Sequence, residues 1–444
     1  MLSIDHYKAS IHELKLGRKT GKLTAVHEGV LEASGCDVLQ GELVEIIQAR
    51  GDARVLAEVV GLRDDHIFLM PFGSSQGLCL NSNVLPLGKS LTIPVGLNLL
   101  GRVVDPLCDP IDKKGPLTIV HRKQCYSNPI NPLDREPITV VLETGVKAID
   151  VFTPIGRGQR IGIMAGSGVG KSTLLGMIAA HTDADVVVIA LIGERGREVG
   201  DFIYDCLGQA GLEKAVVVVA PAEQPAVLRR QAAFTATTIA EWFRASGKNV
   251  LLIMDSITRF AMAQREIGLS TGEPIGTRGY PPSVFSLLPP LLERGGALKS
   301  GGTITSIFTV LVEGDDINEP VTDHMRSLLD GHVVLSRELA SRNHYPAIDV
   351  KNSISRLSGK LANAEQAKVS ACLRKTLSIY ASSQDMIELG AYEPGSSNDL
   401  DVAVKYKPLL DQFLTQTPTE MILAGEAWAE AAKLAGIVEA RVSE

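Results

Sequence analysis

No stretch of this chain approaches the ~18–20 uninterrupted apolar residues that carry a helix across a bilayer. Its opening, MLSIDHYKASIHELKLGRK, has charges every few residues and no apolar core, so no secretory signal is expected and any membrane association is peripheral. Aromatic residues make up only 5% of the sequence, and Lys plus Arg (44) are outnumbered by Asp plus Glu (51). Binding nucleic acid by counterion release and base stacking asks for the opposite balance, so no nucleic-acid partner is expected. Cysteine is sparse as well. Cys36, Cys79, Cys108, Cys125, Cys206 and Cys372 lack the paired spacing of a metal site and read as reduced thiols in a cytoplasmic setting. There is no internal repeat and no low-complexity segment.

What is present is globular material, 45% hydrophobic and 21% charged over 444 residues, enough for two to four domains. Between Lys22 and about Val95 come short apolar runs broken by Gly, Asn and Asp: Leu43–Ile47, Val55–Val60, His66–Met70 and Ser90–Val95. Their spacing predicts a small all-β barrel or sandwich. A proline-rich crossover follows, through Pro106, Pro110, Pro116, Pro129, Pro132 and Pro137. Continuous β-branched runs then alternate with helical stretches, at Arg160–Met164, Val186–Ile192, Val216–Ala220, Val250–Met254 and Thr303–Val312. A parallel sheet buried on both faces reads this way. After about Arg356 the pattern turns helical (Ala362–Ser382, Leu409–Phe413), with a loop at GAYEPGSS, residues 390–397.

The chemistry sits at the ends of these strands. Ala165, Gly166, Ser167, Gly168, Val169, Gly170, Lys171, Ser172 and Thr173 follow one strand and open a helix. This is the context a phosphate loop needs, because glycines let backbone N–H groups converge on phosphate oxygens and the helix terminus adds positive potential. Lys171 would reach the β- and γ-phosphates of ATP and Ser172 would ligate magnesium. Ala165 replaces the first glycine of the usual pattern, which is tolerable at negative φ. Asp255 closes the strand VLLIMD and is a candidate for the metal, although strands often end in Asp at a turn. Glu194 follows the strand Val186–Ile192 and is placed to orient and deprotonate an attacking water. A salt-bridged helix start would place the same residues there.

The runs IGERGREV, LLIMDSITRFAMAQREIGL, GEPIGTRGYPPSVFSLLPPLLER, TVLVEGDDINEPVTD, LLDGHVVLSRELA and HYPAIDV, taken in order, resemble the flagellar and type III secretion export ATPases, relatives of the rotary ATP synthase catalytic subunits. The likeness runs from about Leu99 to Arg356. It implies an α/β protein: a RecA-type P-loop parallel-sheet core over residues 98–356, an N-terminal β-barrel over 22–97 and a C-terminal helical domain over 357–444. Residues 1–21 would contact a stator-like regulator. The resemblance further implies Glu194 as the water-activating base supported by Glu198, Arg195 and Arg259 near the γ-phosphate, and Tyr345 stacked on adenine. Arg356 would be an arginine finger acting on the nucleotide of the neighbouring subunit in a homohexamer. Partners so implied are a central stalk protein, export chaperones and their substrates, and a membrane export gate at the inner face of the bacterial cytoplasmic membrane.

Three other readings share parts of this pattern. A rotary ion-translocating ATPase subunit should carry an acidic rotor-contacting loop, and GAYEPGSSNDLD after Leu389 is not one. An RNA translocase would need a basic, aromatic N-terminal face. A non-catalytic ring subunit would not retain Lys171, Glu194, Asp255 and Arg356 together.

Overall fold

The computed structural model describes residues 19–442 except 28, 49–53, 119–120 and 313–318. The expected regulator contact at residues 1–21 thus lies almost wholly outside the described residues, and so does part of the TVLVEGDDINEPVTD run.

Six strands, Gly21–Val26, Leu31–Ser34, Glu42–Ile47, Arg54–Arg63, His66–Pro71 and Asn83–Ser90, close into a barrel in which the first pairs with the last. Side chains on a strand alternate between faces, and Leu23, Leu31, Val44, Ile46, Val59, Leu69 and Val84 supply the inner set. Closure also removes the exposed strand edges that would otherwise pair with other chains. Three of the four apolar runs read from the sequence are barrel strands. The fourth differs: Thr92–Val95 pairs with His121–Gln124 off the barrel, so the proline-rich crossover carries its own ribbon.

The core is a nine-stranded sheet ordered Ile348–Ser355, Gly331–Leu335, Arg160–Ala165, Thr303–Leu311, Asn249–Asp255, Val186–Ile192, Ala215–Ala220 and Arg102–Val104, with Gly296–Ala297 alongside Thr303–Leu311. From Gly331–Leu335 to Arg102–Val104 every pairing is parallel, so those strands present their carboxyl ends at one edge. Helices on both faces explain the unbroken apolar sequences, since Val186–Ile192 and Ala215–Ala220 are buried at every position. The strand Ile348–Ser355 runs antiparallel at the sheet's end and alternates buried with exposed residues.

Barrel and core are joined by a buried ion pair. Glu58 of the barrel meets Arg230 of helix Ala226–Ala245 at 2.6 Å, and the Tyr126 hydroxyl lies 3.1 Å from each. Removing either charge would strand the other out of water, which typically costs ~3–5 kcal/mol. Beyond the sheet the chain forms helices Ala364–Ser382, Gln384–Glu388, Asn398–Leu414 and Ala424–Val442. Among the described residues no helix is long and apolar enough to cross a membrane.

Candidate active site

The strand Arg160–Ala165 ends inside the sheet, and the chain turns through Gly166–Gly170 into helix Lys171–His181. Ala165 is still in the strand and is not among the residues of positive φ, so no glycine is needed there. Gly170 does need its freedom: φ is +88°, and a Cβ would come within 3.2 Å of the Tyr345 ring. Gly166, Ser167, Gly168, Gly170, Lys171, Ser172 and Thr173 line a cleft of about 540 Å³, a size that suits a nucleotide. Val169 turns the other way, with its side chain 1% exposed in the core beside Leu174, which leaves only its backbone to face a ligand.

The parallel register brings the other strand ends to this mouth. Lys171 Nζ lies 2.5 Å from Asp255 Oδ1 and 3.2 Å from Glu194 Oε1, in a pocket where the three side chains are 11%, 3% and 14% exposed. Burial alone would lower the Lys171 pKa, but the two carboxylates raise it above the usual lysine value. Burial raises Glu194, with Lys171 opposing and the Asp255 charge adding to the rise. Glu198 is held below the usual carboxylate range, chiefly by its hydrogen bond with Glu194. One cation thus faces a buried and a partly buried carboxylate, and the excess negative charge suits a second, divalent cation. Among the described residues no group of three or more His, Cys, Asp or Glu could hold a metal ion. Asp255 with the exposed hydroxyl of Ser172 would therefore need phosphate oxygens and water to complete a magnesium shell, the usual habit of that ion.

Arg195 and Arg259 also line the cleft. The Arg195 side chain is 84% exposed and meets Glu198 at 3.5 Å, whereas Arg259 stands in the first turn of helix Ile257–Ser270 with its Nε buried and unpartnered. The Tyr345 ring rests against Gly170 and is 38% exposed, leaving part of its surface open beside the phosphate loop. Arg356 lies elsewhere. It follows the strand Ile348–Ser355 at the sheet's edge, is exposed, and is absent from the described lining of the cleft. Its Nη2 donates to the Arg326 carbonyl and its backbone N–H to that of Asp330, whose carboxylate pairs with Arg160 at the start of the phosphate-loop strand.

Sequence reasoning did not single out Thr309 or Arg337. The strand Thr303–Leu311 is inserted between the phosphate-loop strand and Asn249–Asp255, and Thr309 donates across it to Asp255 Oδ1 at 2.6 Å. Nothing in an apolar strand marks one threonine for this. Arg337, within the run LLDGHVVLSRELA, also lines the cleft.

Comparison with known proteins shows the family. Residues 145–355 match the nucleotide-binding domain of the ATP synthase alpha/beta family, residues 19–88 that family's beta-barrel domain, and residues 362–430 the T3SS EscN ATPase C-terminal domain. The flagellum-specific ATP synthase of Treponema pallidum is 46% identical over 416 residues, 94% of this chain and 93% of that protein. The type 3 secretion system ATPase of Xanthomonas euvesicatoria is 44% identical over 413 residues, 93% of each chain. Among solved structures, the assembled ATPase EscN of enteropathogenic E. coli superposes with a TM-score of 0.88 at 42% identity, covering 94% of this chain and 100% of that one. EscN in complex with its central stalk EscO gives 0.85 at 41% identity, with the same coverage. With a closed barrel, a parallel sheet carrying the phosphate loop and a type III C-terminal domain in one chain, this protein belongs to the family of flagellar and type III secretion ATPases, within the ATP synthase alpha/beta proteins.

Proposed function

We propose that this chain is the ATP hydrolase of a flagellar or type III protein export apparatus and works as a homohexameric ring. The observation that carries the reading is the Lys171 ammonium held between Asp255 and Glu194 at the mouth of the phosphate loop. In this reading the loop amides and Lys171 bind the β- and γ-phosphates, Ser172 and Asp255 hold magnesium, and the Tyr345 ring stacks on adenine. Magnesium, when bound, supplies charge neutralisation on the phosphate oxygens.

Glu194 then orients a water molecule and accepts its proton as the water oxygen bonds to the γ-phosphorus and the bond to the ADP oxygen breaks. Its raised pKa makes it a stronger base than an exposed carboxylate, yet Lys171 keeps it ionisable. Arg195 and Arg259 face the same phosphate. Arg356, remote from its own cleft, completes the site of the next subunit. The family match of the C-terminal region to type III ATPases favours export over rotary ion transport. The partners that follow are a central stalk of the EscO kind, a stator-like regulator, export chaperones with their substrates, and a gate at the cytoplasmic face of the membrane.

Purified alone, with no homologous second subunit, the chain should hydrolyse ATP when magnesium is present and stop when the metal is chelated with EDTA. Activity that survives chelation would remove magnesium from the account. Activity that appears only after a different ring subunit is added would move the chain to the rotary class.

A further inference from the structure

Gln416 follows helix Asn398–Leu414 where the C-terminal helical region meets helix Lys147–Phe152, and it is 4% exposed. Its side-chain oxygen and both of its N–H donors are engaged locally. Oε1 accepts from the Lys147 backbone N–H at 3.1 Å, and Nε2 donates to the carbonyls of Gly145 and Glu420, each at 2.7 Å. Its own backbone N–H donates to the Tyr345 carbonyl at 2.9 Å.

These bonds fasten it towards both ends of helix Lys171–His181. Gly145, at φ +71°, lies so close to His181 that a Cβ would meet the His181 Cβ at 2.5 Å, and Tyr345 rests on Gly170 at the opposite end. Phe413 braces the same corner, with its ring 6.4 Å from that of Phe152 and the Lys147 ammonium 5.2 Å above it.

We infer that Gln416 is a positioning residue for the base end of the nucleotide, fixing the Tyr345 ring over the phosphate loop from the C-terminal helical region. The inference rests on the reading of Tyr345 as the ring that stacks on adenine. A residue that acts in this way holds ground state and transition state equally, so its loss raises KM and spares kcat. It also acts through one ring, so its effect vanishes once that ring is gone.

The test is steady-state hydrolysis of ATP and GTP by the full-length assembled chain as Gln416→Met, Tyr345→Ala and the double variant. Gln416→Met keeps the length of the side chain and removes its bonds; Gln416→Glu, which still accepts from the Lys147 N–H, replaces it if the first does not assemble. The expected result is a KM for ATP about tenfold higher with kcat within about twofold, a narrower preference for ATP over GTP, and no further rise in KM when the change is made in Tyr345→Ala. If Tyr345→Ala itself leaves KM unchanged, the stacking reading fails and the inference with it. If Tyr345→Ala raises KM while the Gln416 variant does not, or if the two effects multiply in the double variant, Gln416 does not act through Tyr345 and the inference alone is overturned.

Discussion

Lys171→Ala is expected to abolish ATP hydrolysis, lowering turnover by about a thousandfold or more, and to weaken ATP binding at the same time. Lys171 is the long cation of the phosphate loop, and its ammonium already lies within hydrogen-bonding reach of Asp255 and Glu194. Removing it takes the positive charge away from the phosphates and leaves the buried Asp255 and the partly buried Glu194 without the counter-charge they share. Like charges in a low-dielectric pocket repel, which pushes the Glu194 pKa further up and takes the base out of its ionised form. Steady-state ATPase measurements with nucleotide-binding titrations check both effects. Turnover within severalfold of the unmodified protein would mean that the site lies elsewhere.

Glu194→Gln should separate binding from chemistry. The amide fills the same volume but cannot accept a proton, so kcat should fall by about 10²–10⁴-fold while KM stays within a few-fold. The pH profile carries a second signature. Glu194 must be ionised to act as base, and burial raises its pKa, so the rate should climb with pH through a limb above the ordinary carboxylate range. Residual activity in Glu194→Gln should lack that limb. An equal loss of ATP affinity in this variant would assign Glu194 to structure.

The phosphate loop and the strands beneath it were legible in the sequence because each strand is a continuous apolar run that stops at a residue with chemistry. Val186–Ile192 runs into Glu194, and Asn249–Asp255 ends on its carboxylate. Gly21–Val26 and Leu31–Ser34 were less legible because, at six and four residues with polar positions interleaved, each carries too few apolar residues to stand out. Gly331–Leu335 and Ile348–Ser355 do not stand out as strands in the sequence, for they alternate buried and half-buried or exposed positions near the sheet's end. Thr309 and Gln416 left no local trace at all. Thr309 reaches Asp255 across 54 residues of sequence and Gln416 reaches Gly145 across 271, so only folding brings those partners together. Tyr345 and Arg356 entered through family resemblance; the structure sets the first against the phosphate loop and the second outside its own cleft.

That separation of Arg356 from its own subunit's cleft makes the shared site the centre of the account, and mixing two inactive variants tests it most directly. Arg356→Ala alone should still bind ATP but hydrolyse it about 10³–10⁵-fold more slowly, and Lys171→Ala alone should be inactive. In rings assembled from equal amounts of both, about a quarter of the interfaces pair an intact phosphate loop with an intact arginine from the neighbour, because every interface of a cyclic ring is of one kind. Partial recovery of ATPase activity on mixing is the result the account predicts. No recovery in rings shown by mass to contain both variants, or a specific activity that is independent of protein concentration at a monomeric mass, would contradict it.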